Sequence, residues 1–191
     1  MFAQFSGINA IMYYAPEIFK TASTSTDAAF AATVWVGAIN LIFTFVAILF
    51  VDHAGRRPLL LVGTAIQTVS LFGVGWMFHI GHEGLGVLLF ILVFVAAFAM
   101  AMGPLPWIII SEIFPARIRG RAASLGVMMI WIACYIVAQT FPILNNRLGG
   151  AVTFIIYGIC SLASLVFVLF AIPETKGRTL EEIQAQWNRK P

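Results

Sequence analysis

Charged side chains are scarce in this sequence, and their scarcity is patterned. Only 8 acidic and 11 basic residues occur among 191, so charged residues are 10% of the chain against about 25% in soluble domains. Ala28–Val51, Leu59–Ile80, Gly84–Ser111, Ala122–Asn146 and Leu148–Pro173 contain no Asp, Glu, Lys or Arg, nor does the shorter opening stretch Met1–Pro16. A bilayer core about 30 Å thick takes about 20 apolar residues of helix to cross. No water in hydrocarbon can satisfy a backbone N–H or C=O, so each run must bond its own backbone as a helix. A hydrophobic fraction of 61% leaves no room for a soluble domain between the runs.

Cysteine is nearly absent as well. Cys134 and Cys160 sit inside the fifth and sixth runs, which leaves no disulfide framework and no thiolate metal site to expect. Carboxylates are missing from membrane depth: Glu17, Asp27 and Glu83 fall near one face, and Asp52, Glu112, Glu174, Glu181 and Glu182 near the other. An intramembrane enzyme would need a His/Asp/Glu or Ser/Lys constellation at that depth, and none is offered. The same gap leaves this chain without a proton-coupling carboxylate inside the membrane. His79, His82 and Glu83 cluster, but their order is wrong for the zinc-helix motifs, so neither a metal nor another cofactor is expected. The opening stretch has no basic region that would mark a cleavable signal peptide.

The expected architecture is therefore an all-α membrane protein, a bundle of six transmembrane helices over residues 1–173, with a cytoplasmic tail over 174–191. The first run falls slightly short of a full span, as it would if its start had been cut off. Gly7 and Pro16 are weak points in it, and Gly103-Pro104-Leu105-Pro106 should unwind or kink the fourth. Interruptions in the first and fourth spans, each opening a group of three, fit a 3+3 inverted repeat. In the tail, Thr179 and Glu182 form a capping-box pattern for a short helix from about Leu180 to Trp187. All basic residues except Lys20 and Arg147 fall in the connections 52–58 and 112–121 or in the tail. By the positive-inside rule both termini are cytoplasmic, in a plasma membrane. Nucleic acid is not an expected partner, because no basic surface continues beyond the membrane ends.

Few strongly polar residues lie inside the runs: Gln4, Asn9, Asn40, Gln67 and Gln139. A carboxamide in lipid should face other helices or an aqueous cavity. Gln67 and Gln139 are read as bonds between helices. Gln4 and Asn9 would point about 140° apart on a regular helix, at about 100° per residue, unless Ser6-Gly7 relaxes the turn between them. Together they offer donors and acceptors that match sugar hydroxyls, which are also both. Trp107 and Trp131 are open to two readings, a flat face for a sugar ring or packing at the interface. At the inner ends, Asp52-x-x-Gly55-Arg56-Arg57-Pro58 and Glu112 could pair as a latch between bundles.

These segments, taken together, resemble the sugar porter family of the major facilitator superfamily. Gln4-Phe-Ser-Gly7-Ile-Asn9 with Tyr13-Tyr14 is similar to the family's signature on its seventh helix. Asp52-x-x-Gly55-Arg56-Arg57-Pro58 resembles its helix 8–9 loop. Gly103-Pro104-x-Pro106-Trp107 and Ser111-Glu112-Ile-Phe-Pro115 resemble helix 10, and Pro173-Glu174-Thr-Lys-Gly177 the segment after helix 12. The likeness runs over essentially the whole chain, in order. It implies the C-terminal half of a twelve-span transporter, bacterial inner membrane in location, that moves a monosaccharide by alternating access and needs an N-terminal six-helix half as partner. It further implies Gln4, Asn9, Asn40 and Trp107 as sugar ligands, with Phe98 and Trp131 lining the cavity. Tyr13 and Tyr14 become an outer gate. Asp52, Arg56, Arg57, Glu112, Arg119 and Glu174 become an inner charge network. The family includes proton symporters and facilitators, so a proton co-substrate stays open; the symporters' coupling Asp lies on a helix absent here. Four positions depart from the pattern: Ala3 replaces the first of a tandem Gln, Ala99 stands where some facilitators carry Glu, and Ile130 and Cys134 occupy often-polar places. A non-transporting sugar sensor is the alternative; that class adds a long signalling tail, whereas this sequence stops at Pro191.

Overall fold

The computed structural model describes residues 1–22, 26–81, 84–113, 116–172 and 174. All regular structure among them is helical: α1 (Phe2–Phe5), α2 (Ile8–Ala22), α3 (Thr26–Ala54), α4 (Arg56–His79), α5 (Leu85–Met100), α6 (Leu105–Ile113) and α7 (Ala116–Ala171). Among the described residues, four stretches, Asp27–Val51, Arg56–His79, Leu85–Ile110 and Ile118–Ala171, are long and apolar enough to cross a membrane. The expected tail helix, Leu180–Trp187, lies outside the described residues.

The helix breaks follow backbone chemistry. Gly7, with φ 84°, separates α1 from α2, and its N–H turns back to the Gln4 carbonyl at 3.0 Å. An L side chain rarely adopts that φ, so glycine is required there. Pro16, the other expected weak point, lies within α2 without ending it. Gly55, with φ 89°, precedes α4, and Pro58 falls in that helix's first turn, where a missing N–H costs little. Residues 101–104 break the fourth run as expected, the Gly103 N–H bonding the Phe98 carbonyl at 2.9 Å.

The connection between the last two uncharged runs, around Arg147, is much tighter than a loop. The α7 helix runs through it with one non-helical residue, Gly149 (φ 80°, ψ 165°). In a straight helix Phe141 and Tyr157 would stand about 24 Å apart, at about 1.5 Å per residue. Their rings stack with centroids 6.4 Å apart, so the chain folds back on itself at Gly149.

The α4 helix is the packing centre, set against α5 and α7. Its buried face carries small and polar residues, among them Gly63, Thr64, Thr68, Ser70 and Gly75. A Cβ added at Gly63 would stand 2.3 Å from the Ala101 Cβ, and one at Gly75 would stand 2.8 Å from Ile155 Cγ1. Lipid tails are as apolar as leucine, so close approach and interhelical bonds drive helix association instead. Thr68 Oγ1 donating to Ser161 Oγ at 3.0 Å is one such bond between α4 and α7. The larger core cluster, around Phe94, Phe141, Phe154 and Tyr157, holds α2, α3, α4, α5 and α7 together. A smaller one, with Ala3, Leu59, Leu60, Met102 and Val168, lies toward the Arg56–Arg57 end. Large apolar side chains such as Phe45, Leu49 and Phe170 cover the exterior.

Candidate functional site

The two helix breaks meet at one cleft of about 240 Å³. Ala3, Gln4, Ile8 and Asn9 line it from either side of Gly7, and Met102, Gly103, Pro106 and Trp107 from the break between α5 and α6. Asn40 enters from α3, Phe98 from the end of α5, and Ile130 from α7. Five of the residues expected to contact a sugar, Gln4, Asn9, Asn40, Phe98 and Trp107, are thus brought together. Trp131 is not among the lining residues and is 63% exposed, while its neighbour Ile130 takes a place in the wall.

The break at Gly7 explains how Gln4 and Asn9 share the cleft despite their unfavourable spacing. The Asn9 amide Nδ2 donates to Gln4 Oε1 across the turn and also to Cys134 Sγ at 3.1 Å. The turn is held by Ser6 Oγ, which donates to the Ala3 carbonyl at 2.8 Å, and by the Tyr157 ring. A Cβ at position 7 would come within 2.7 Å of Tyr157 Cδ2, so this ring occupies the space that only glycine leaves. Cys134 stood out in the sequence only as a departure at an often-polar place, not as a partner of Asn9, and Tyr157 did not stand out at all. Both sit in apolar helical surroundings, and only the fold of α7 back over the first helix reveals them.

Tyr13 and Tyr14 follow one turn beyond Asn9 and diverge. Tyr13 is exposed, its hydroxyl 4.0 Å from Cys134 Sγ. Tyr14 donates to the Ala138 carbonyl at 3.2 Å and packs its ring on Phe141, centroids 5.1 Å apart. Gln67, by contrast, is 1% exposed inside α4 and stays away from the cleft.

At the opposite side of the smaller core, Glu174 closes the start of α4. Its carboxylate accepts the backbone N–H of Arg56 at 3.1 Å and of Arg57 at 3.2 Å. Free N–H groups and the positive end of the helix dipole favour an anion there. The Arg57 guanidinium donates to the Leu169 carbonyl at 2.9 Å, tying α4 to the end of α7. Arg119 lies in the first turns of α7, and the side chains of Asp52 and Glu112 are outside the described residues. No group of three or more His, Cys, Asp or Glu that could hold a metal occurs among the described residues, which exclude His82 and Glu83.

The profile of the family described as sugar (and other) transporter matches residues 1–187. The D-xylose-proton symporter of Escherichia coli (strain K12) is 43% identical over 193 residues, covering 98% of this chain and 39% of that protein. The arabinose-proton symporter of Bacillus subtilis (strain 168) is 39% identical over 188 residues, covering 98% and 40%. The fold superposes on E. coli XylE, described as a major facilitator superfamily proton:xylose symporter and solved with 6-bromo-6-deoxy-D-glucose. The TM-score is 0.87 at 44% identity, over 97% of this chain and 40% of that one. The chain therefore spans about two fifths of the length of these relatives. On the family match, the identity and the superposition together, this chain belongs to the sugar porters of the major facilitator superfamily.

Proposed function

We propose that this chain is the C-terminal half of a monosaccharide transporter, and that the cleft between the two helix breaks is its share of the sugar site. The carrying observation is the convergence of Gln4, Asn9, Asn40 and Trp107 on one cleft between the helix breaks. Carboxamides supply donors and acceptors for hydroxyls, and Trp107 and Phe98 supply apolar faces for the ring. At about 240 Å³ the cleft is smaller than the usual ligand pocket of about 300–1,000 Å³, which fits one wall of a site completed by a second bundle. The relatives at 43% and 39% identity are named for D-xylose and arabinose, both pentoses, and XylE was solved with a hexose derivative, which together support a pentose or hexose.

In this reading the chain crosses the membrane six times. Residues 2–22 make the first passage through the Gly7 break, α3 and α4 the next two, and α5 with α6 the fourth. The two arms of α7 on either side of Gly149 make the last two. Breaks in the first and fourth passages support a 3+3 inverted repeat with the sugar near the midplane. The basic ends support both termini lying on the cytoplasmic side of a plasma membrane. Tyr13 and Tyr14 act as the outer gate, and Arg56, Arg57, Arg119 and Glu174, with Asp52 and Glu112, as the inner charge network. An N-terminal six-helix bundle supplies the other wall. Where transport is coupled to protons, as in the named symporters, the titrating carboxylate belongs outside this chain's membrane-deep residues.

The test is titration of D-xylose, L-arabinose and D-glucose into the purified full-length transporter by calorimetry. Asn9→Ala and Gln4→Ala should each weaken binding about three- to tenfold, as expected for a bond of about 0.5–1.5 kcal/mol. Affinities unchanged in both variants would place the sugar elsewhere.

A further inference from the structure

The Asn9 amide nitrogen has two hydrogens and two partners: Gln4 Oε1, and Cys134 Sγ at 3.1 Å. Cys134 is only 6% exposed and stands one turn beyond Ile130, which lines the cleft. The Tyr13 hydroxyl lies 4.0 Å from the same sulfur. A carboxamide can present either its oxygen or its nitrogen to a ligand, and what decides is the bonding of its far end. With both N–H groups of Asn9 engaged, Oδ1 is left as its acceptor. Gln4, whose Oε1 is occupied, is left with Nε2 as its donor. Adjacent hydroxyls on a sugar ring can give a proton to the first and take one from the second.

We propose that Cys134 is a positioning residue of the sugar site: its sulfur holds the Asn9 carboxamide with the oxygen turned to the ligand, so that Asn9 accepts and Gln4 donates. The proposal rests on the reading of the cleft as the sugar site. It assigns a polar role to a cysteine at one of the often-polar positions where this sequence departs from the family pattern. The carboxamide pair then favours sugars whose hydroxyl at Asn9 can donate, and disfavours the same sugar with that hydroxyl replaced by fluorine.

The test uses the full-length transporter and whichever of D-xylose, L-arabinose and D-glucose binds it most tightly. Cys134→Val, close in size but without an acceptor, should raise Kd about three- to tenfold. Cys134→Ser, which keeps an acceptor, should stay within about twofold. Cys134→Ala takes the place of the valine variant where that one does not yield a monodisperse protein. In an Asn9→Ala background, Cys134→Val should add no further loss, because the two residues act as one unit. Equal losses in the valine and serine variants, or a further loss in the Asn9→Ala background, would make Cys134 a packing residue and overturn the proposal. An unchanged Kd in Cys134→Val beside a weakened Asn9→Ala would overturn it while leaving the site intact. No loss in Asn9→Ala, or no binding of any of the three sugars, would overturn the reading of the site itself.

Discussion

At the scale of single residues, the membrane interior makes every polar group a statement about where it can bond. Gln4 and Asn9 bond each other and face the cleft. Gln67 is 1% exposed and its Nε2 has no hydrogen-bond partner among the described residues. A buried polar group left unpaired costs about 1–3 kcal/mol, so Gln67→Leu should leave the thermal unfolding midpoint unchanged or raise it, with sugar affinity unaltered. A fall of several degrees, measured by a dye or by circular dichroism in one detergent, would show that the carboxamide does bond. Gln4 and Asn9 were legible in the sequence because Ser6-Gly7 between them signals a break that cancels their wrong spacing. Cys134 was legible only as a departure at an often-polar place; its bond to Asn9 was not, because it depends on how α7 packs against α2. Trp131 illustrates the opposite failure: its neighbour Ile130, not the tryptophan, lines the cleft, and a helix face is not settled by residue type alone.

At the scale of helices, glycine does two different jobs, and the difference is measurable. At Gly63 it lets α4 approach the turn after α5, where a Cβ would stand 2.3 Å from Ala101 Cβ. Gly37, within α3, has nothing within 4 Å of an added Cβ. Gly63→Ala should therefore lose about 1–3 kcal/mol of stability through overpacking, whereas Gly37→Ala should be neutral or gain up to about 1 kcal/mol from helix propensity. Equal unfolding midpoints for the two variants would contradict the account of α4 as a close-packed centre. The breaks at Gly7 and at residues 101–104 could be anticipated, since Gly and Pro stand there in otherwise continuous runs. The reversal within α7 falls beside Arg147, which divides the last two uncharged runs. A single Gly149 with positive φ suffices, and Asn145–Leu148 stay helical. Pro16 shows the limit of that logic, because a proline deprives a helix of one bond without necessarily ending it.

At the scale of the whole molecule, an uneven distribution of charge was enough to read a helical membrane protein, and the family match bears that out. The order of segments around Gly7, Gly55, Gly103 and Glu174 was enough to recognise the family. Five of the cleft's lining residues followed from the resemblance, whereas the place of Ile130 rather than Trp131 in its wall was not readable, because it depends on how α7 folds back. A cleft walled on one side predicts that the 191-residue chain does not transport alone. In liposomes, labelled-sugar uptake should appear when an N-terminal half is present and be absent without it; saturable uptake by this chain alone would contradict a two-bundle site. The central claim, that the sugar binds between the two helix breaks, is tested most directly by a structure of the full-length transporter with its sugar bound. The account predicts sugar hydroxyls within hydrogen-bond distance of Gln4 Nε2 and Asn9 Oδ1, with the ring beside Trp107. Sugar density away from all three residues would contradict it.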